Sequence, residues 1–161
     1  MSLKTSRIFG ILAAALYGLA LIVSLLTILF RVPILRLYHA PEEMYAAAGI
    51  PVNTIVRCAV FFLVILLYAI LILALKPSRG GSIAVAVVFA AVLLLLNGVL
   101  FPLLSTASTL FVGYRMGAAS LAGNSVMETG ASFLTSFFTT PAFLLALISM
   151  GGYWGKTAAQ K

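Results

Sequence analysis

The sequence is poor in nearly everything a water-soluble protein places on its surface. Of its 161 residues only 8% are charged, with three acids, one histidine, one cysteine and one tryptophan among them. A soluble domain carries about 25% charged and roughly 45–50% apolar residues. Here 63% are hydrophobic and the mean hydropathy is +1.21. That balance excludes a soluble enzyme, a disordered chain and a disulfide scaffold. A lone Cys58 excludes an intramolecular disulfide and a multi-cysteine metal site. The ten Lys and Arg residues stand singly or in pairs at the ends of apolar runs. Nucleic-acid binding would need them clustered on one face, so it is excluded as well.

What is present is a series of long uncharged runs. Ile8–Phe30 holds 23 residues, Cys58–Leu75 holds 18, Gly80–Tyr114 holds 35 and Thr129–Gly155 holds 27. A membrane-crossing helix needs about 20 apolar residues. The 35-residue run suffices for one span with a polar tail, but not for two spans and a turn. The fold class expected is therefore an all-α membrane protein, an antiparallel bundle of four transmembrane helices. The spans lie at about 8–30, 53–75, 82–104 and 131–153, in a single domain over 1–161. The first run is too long for the apolar core of a signal peptide, so it is expected to stay as a span.

Cation density orients the spans. With the N-terminus inside, segments 1–7, 76–81 and 155–161 carry six cations in 20 residues. Segments 31–54 and 105–130 carry three cations in 50 residues. Positive charge favours the cytoplasmic side, so both termini are expected there. Short loops and Ala- and Leu-rich helices have a bacterial style, which points to a bacterial cytoplasmic membrane. Tyr153, Trp154 and Lys156 pair aromatic rings with a cation after the last run, as an interfacial anchor does.

Two outer segments carry extra features. Pro41-Glu42-Glu43 reads as a helix start, with proline in the first turn and acids near the positive end of the dipole. His39 beside those acids falls short of a metal-ligand set. Ser105–Gly130 is too polar and glycine-rich to span, yet too apolar to float, so part of it is expected as a helix packed on the outer face. Short extra helices therefore complete the expected fold.

Polar groups inside the spans concentrate toward the outer leaflet. Ser24, Thr27, Thr54, Arg57, Cys58, Asn97 and Ser132 to Thr140 all fall in outer halves by this topology. Ser132, Thr135, Ser136 and Thr139 share one helical stripe, and Asn97 could bond across to it. Such groups serve either as glue between helices or as the lining of an outward-facing vestibule. Asn97, Arg57 and the four hydroxyls form the candidate vestibule. Gly10, Ala14 and Gly18, spaced by four, form a small-residue stripe where another helix can approach closely.

Catalytic inventory is missing. The uncharged runs hold no carboxylate or histidine for proton-coupled transport, and no nucleophile–base pair is evident. No enzyme activity, metal or cofactor is expected. The leading reading is a small non-enzymatic inner-membrane protein acting by helix–helix association, as a homo-oligomer or an accessory subunit of a larger complex. The alternatives are a channel or facilitator with a vestibule around Asn97, and a protein that binds lipid or another apolar ligand. Apart from such proteins, the bilayer itself is the expected partner.

Overall fold

The computed structural model describes residues 3–43, 45, 49–74 and 79–158, with side chains at all of these except 3, 79–82, 112–113, 116–119 and 153–158. Of the described residues 93% are helical, and none is in a strand. Four stretches are long and apolar enough to cross a membrane: Lys4–Leu29, Val52–Ala74, Ile83–Phe111 and Ser120–Gly152.

Helix α1 (Leu3–Leu29) ends one turn before Pro33, and α2 (Arg31–Leu37) follows after a bend at Phe30. Pro33 has no N–H to offer the Leu29 carbonyl, and its ring would press on that carbonyl in a continuing helix. The break falls where that conflict would arise. At the far end of α2, His39 adopts a left-handed conformation (φ 51°). Its N–H bonds the Arg36 carbonyl, and the Ala40 N–H bonds that of Leu35, both at 3.0 Å. This pair of bonds is the Schellman helix stop, and Pro41 follows it. His39 is thus a helix terminator, and among the described residues no three His, Cys, Asp or Glu side chains gather to hold a metal. The helix start expected after Pro41 lies partly outside the described residues; within them, the Tyr45 N–H bonds the Glu42 carbonyl at 3.0 Å.

Helix α3 spans Val52–Ala74 and α4 spans Arg79–Leu95. A π-helical turn at Leu96–Leu100 joins α4 to α5 (Phe101–Ala158). There the Phe101 N–H reaches back to the Leu96 carbonyl. Pro102 explains the wider turn. It cannot donate to the Gly98 carbonyl, and a π turn relieves the clash while keeping the helix intact.

The largest difference from expectation concerns 105–130. The expected extra helix is not a separate element here: the stretch is helical throughout and continues its flanking helices. It is not straight. Asn53 bonds both Ser108 and Glu128, yet about 30 Å would separate those two along an unbent helix. The chain must reverse between Thr109 and Leu121, and the two arms face each other across Ser105 to Thr109 and Leu121 to Thr129. The small residues that make the stretch look like a loop thus lie within helix. Tyr114 within it is 89% exposed.

The core joins all four long stretches. Tyr17, Phe61 and Phe101 stack with ring centroids 5.3 and 5.4 Å apart, and Phe143 meets Phe61 edge-on. Ala13, Ala142 and Ala146 are fully buried around them, with Ile65, Leu93 and Met150 nearby. Small residues on α1 and α5 let backbones approach while aromatics from α3 fill the space between. A second cluster docks α2 on α5 through Ile34, Leu35 and Met127.

Candidate functional site

Arg57 lies in the second turn of α3, and Asn97 lies in the π turn 40 residues later. The Arg57 guanidinium donates to the Asn97 amide oxygen at 2.7 Å. The π turn adds a residue to the helix and so resets the direction of Asn97; such turns frequently occur at functional sites.

The pair stands between two cavities and lines both. The outer cavity, of about 840 Å³, lies between the start of α3 and the segment 97–111. Its polar side carries Asn53, Thr54, Arg57, Asn97, Ser105, Ser108, Glu128 and Ser132. Its apolar side carries Val52, Val56, Phe101, Pro102, Leu104, Ala107 and Phe111. The inner cavity, of about 180 Å³, shares Arg57 and Asn97 with the outer one. It ends on Tyr17, Phe61, Phe143 and Leu144, with Thr139 and Thr140 on its wall. The stacked aromatics of the core therefore form its floor.

Glu128 organises the outer cavity. Its carboxylate accepts the backbone N–H groups of Asn53 (2.8 Å) and Thr54 (3.0 Å), and the Thr54 hydroxyl (2.7 Å). These donors are in the first turn of α3, where N–H groups lack partners within the helix and a positive dipole end favours an anion. The neighbouring Asn124 side chain accepts the Gly49 N–H. A carboxylate from a distant arm thus caps α3 and ties it to the reversed segment. The sequence offers no local cue for this. Pro51 precedes the helix without an adequate cap of its own, and the partner lies 74 residues away.

The candidate vestibule residues separate into two groups. Ser132 bonds the Thr54 hydroxyl at 3.0 Å, and Thr139 lines the inner cavity. Thr135 and Ser136 instead donate to carbonyls of their own helix, at Ala131 (2.9 Å) and Phe133 (2.6 Å). Ser and Thr commonly bond back in this way within helices. Asn97 accepts from Arg57, where the sequence had suggested the hydroxyl stripe. Cys58 is buried and lines the inner cavity.

The small-residue stripe is used inside the chain. Gly10 lies against Tyr68 and Ser149, and Gly18 against Phe62. Ala14 is 6% exposed. Beside Gly10 is a buried polar node the hydropathy pattern hides. The Ser149 hydroxyl donates to the Ser6 carbonyl at 2.6 Å and lies 3.0 Å from the Tyr68 hydroxyl. The polar groups of this node come from three helices rather than one stripe. The side chains of Tyr153, Trp154 and Lys156 lie outside those described.

No family model, curated protein or solved structure matches the chain.

Proposed function

We propose that this chain is a non-enzymatic integral membrane protein that accommodates an amphiphilic ligand in the cavity between α3 and segment 97–111. In this reading the four apolar stretches cross a bacterial cytoplasmic membrane as an antiparallel bundle. Pairings of Gly10 with Tyr68, Tyr17 with Phe61 and Ser108 with Asn53 support that order. Helix α2 and the reversal between Thr109 and Leu121 lie on the outer side, and the cation-rich ends face the cytoplasm.

The observation that carries the proposal is the mixed lining of the 840 Å³ cavity. Apolar walls with a few convergent polar groups are the usual make-up of a small-molecule site. The aromatic floor favours binding over conduction, because a path inward would have to part the Tyr17–Phe61 stack. The test is mass analysis of what co-extracts with the protein in mild detergent. The wild type is expected to retain an amphiphile in defined ratio, and Ala107→Trp, which fills the cavity, is expected to lose it. Equal retention by both would refute the site.

A second reading, an oligomeric or accessory subunit, draws support from another place. Ile83–Phe111 has 29 residues, about 43 Å of helix, against a hydrocarbon core of about 30 Å. Leu110, Phe111 and Tyr114 are 63–89% exposed, and apolar patches outside the bilayer mark interaction sites. The Gly10/Ala14/Gly18 stripe lends that reading less support, since α3 and α5 already cover it. Native mass spectrometry of gently extracted protein separates the cases: a defined oligomer or a co-purifying protein supports this reading, and a lone monomer refutes it.

A further inference from the structure

We infer that the cavity selects an anionic phospholipid, with the lipid phosphate held by Arg57, which lines both cavities. The inference rests on the binding role proposed above and adds the class of ligand.

Charge carries the argument. Two ionisable side chains line the outer cavity, Arg57 and Glu128. The Glu128 carboxylate is engaged by three donors, two of them N–H groups at the positive end of α3. It is therefore the less available of the two to a ligand. Arg57 is exposed and spends one bond, from Nη2, on a neutral amide. A guanidinium has five N–H donors in a planar fork suited to phosphate oxygens. The cavity therefore offers a cation with most of its donors uncommitted.

Position selects a bilayer lipid over a soluble anion. Arg57 is five residues into α3, about 7.5 Å from its start, which is headgroup depth for a helix that crosses the membrane there. Val56 and Leu104 on the cavity lining are 42% and 45% exposed. Such a rim would repel a hydrated anion but suits an acyl chain. Asn97 occupies one guanidinium donor, and an incoming phosphate oxygen would replace it.

The test is native mass spectrometry of the full chain in detergent, titrated separately with phosphatidylglycerol and with uncharged diacylglycerol, which lacks the phosphate. Wild type is expected to favour phosphatidylglycerol by about tenfold, the size of one charge-assisted contact. Arg57→Gln should erase the preference, while Arg57→Lys keeps part of it and Arg36→Gln, outside the cavity, keeps all of it. Circular dichroism checks that each variant stays helical. Asn97→Leu leaves the cation in place and should keep the preference, so the test survives a poorly folding Arg57→Gln. Preference unchanged in Arg57→Gln, or lost in Asn97→Leu, overturns the inference. So does displacement of lipid by an equal concentration of glycerol 3-phosphate, which would name a soluble anion instead. Equal binding of both lipids, blocked by Ala107→Trp, overturns the anionic class while leaving the amphiphile site standing. Binding of neither lipid overturns both.

Discussion

Replacing Glu128 is the sharpest way to probe how the cavity is held together. Its carboxylate satisfies two first-turn N–H groups of α3 and the Thr54 hydroxyl, over 2.7–3.0 Å. Glu128→Ala leaves those N–H groups without acceptors beside Thr54, which is only 5% exposed. Losing a helix cap costs about 0.5–2 kcal/mol, and hydrogen bonds to charged groups contribute about 1.5–3 kcal/mol. Glu128 is half-buried and water can replace part of the loss, so about 2–3 kcal/mol is expected in total. Glu128→Gln keeps one acceptor oxygen but loses the charge at the helix dipole, for about 1 kcal/mol. Thr54→Val removes the hydroxyl bonds and leaves the backbone bonds, for about 0.6–1 kcal/mol. Equilibrium unfolding in mixed micelles with rising SDS, followed by circular dichroism, would give the three values. Glu128→Ala within about 0.5 kcal/mol of wild type, the range of an unremarkable surface change, would refute the capping role.

Three further outcomes follow from the packing and the proposed topology. A Cβ at Gly10 would lie 3.2 Å from the Ser149 hydroxyl and 3.3 Å from the Tyr68 ring, whereas one at Gly151 meets nothing within 4 Å. In the same unfolding assay, Gly10→Ala should destabilise by about 1–3 kcal/mol, and Gly151→Ala should be neutral or stabilise by up to about 1 kcal/mol. Cys58 is 2% exposed, so maleimide should label it in SDS but not in the folded protein; rapid labelling of the folded protein would contradict its burial. Reporter fusions at both termini should give cytoplasmic signals, and a periplasmic signal at either would overturn the orientation inferred from cation density.

Much of the helical content is legible as uncharged runs, because membrane spans announce themselves by length and composition. Boundaries within 96–130 are not. Pro102 looks like a kink or an end, but a π turn absorbs it. Gly113 and Gly117 look like loop residues, but they fall where two helical arms fold back. The site is only partly legible for a different reason. Asn97 and Arg57 can be singled out because each is a strong polar group in an apolar run. Their pairing spans 40 residues, and no periodicity reports it. Spacing places Ser132, Thr135, Ser136 and Thr139 on one face, yet it cannot distinguish a hydroxyl that reaches another helix from one that bonds its own backbone. Glu128 and Ser149 are missed because each acts through a partner more than 70 residues away.

The most direct test of the central claim uses a phosphatidylglycerol carrying a photoactivatable diazirine on its acyl chain, incorporated into membranes that contain the protein. After irradiation, crosslinked residues are mapped by peptide mass spectrometry. Lipid bound in the cavity should mark Val56, Phe101 and Leu104, and that labelling should fall in Ala107→Trp. Labelling confined to outward faces such as Leu63, Leu67 and Ile148, the same in both proteins, would contradict the account.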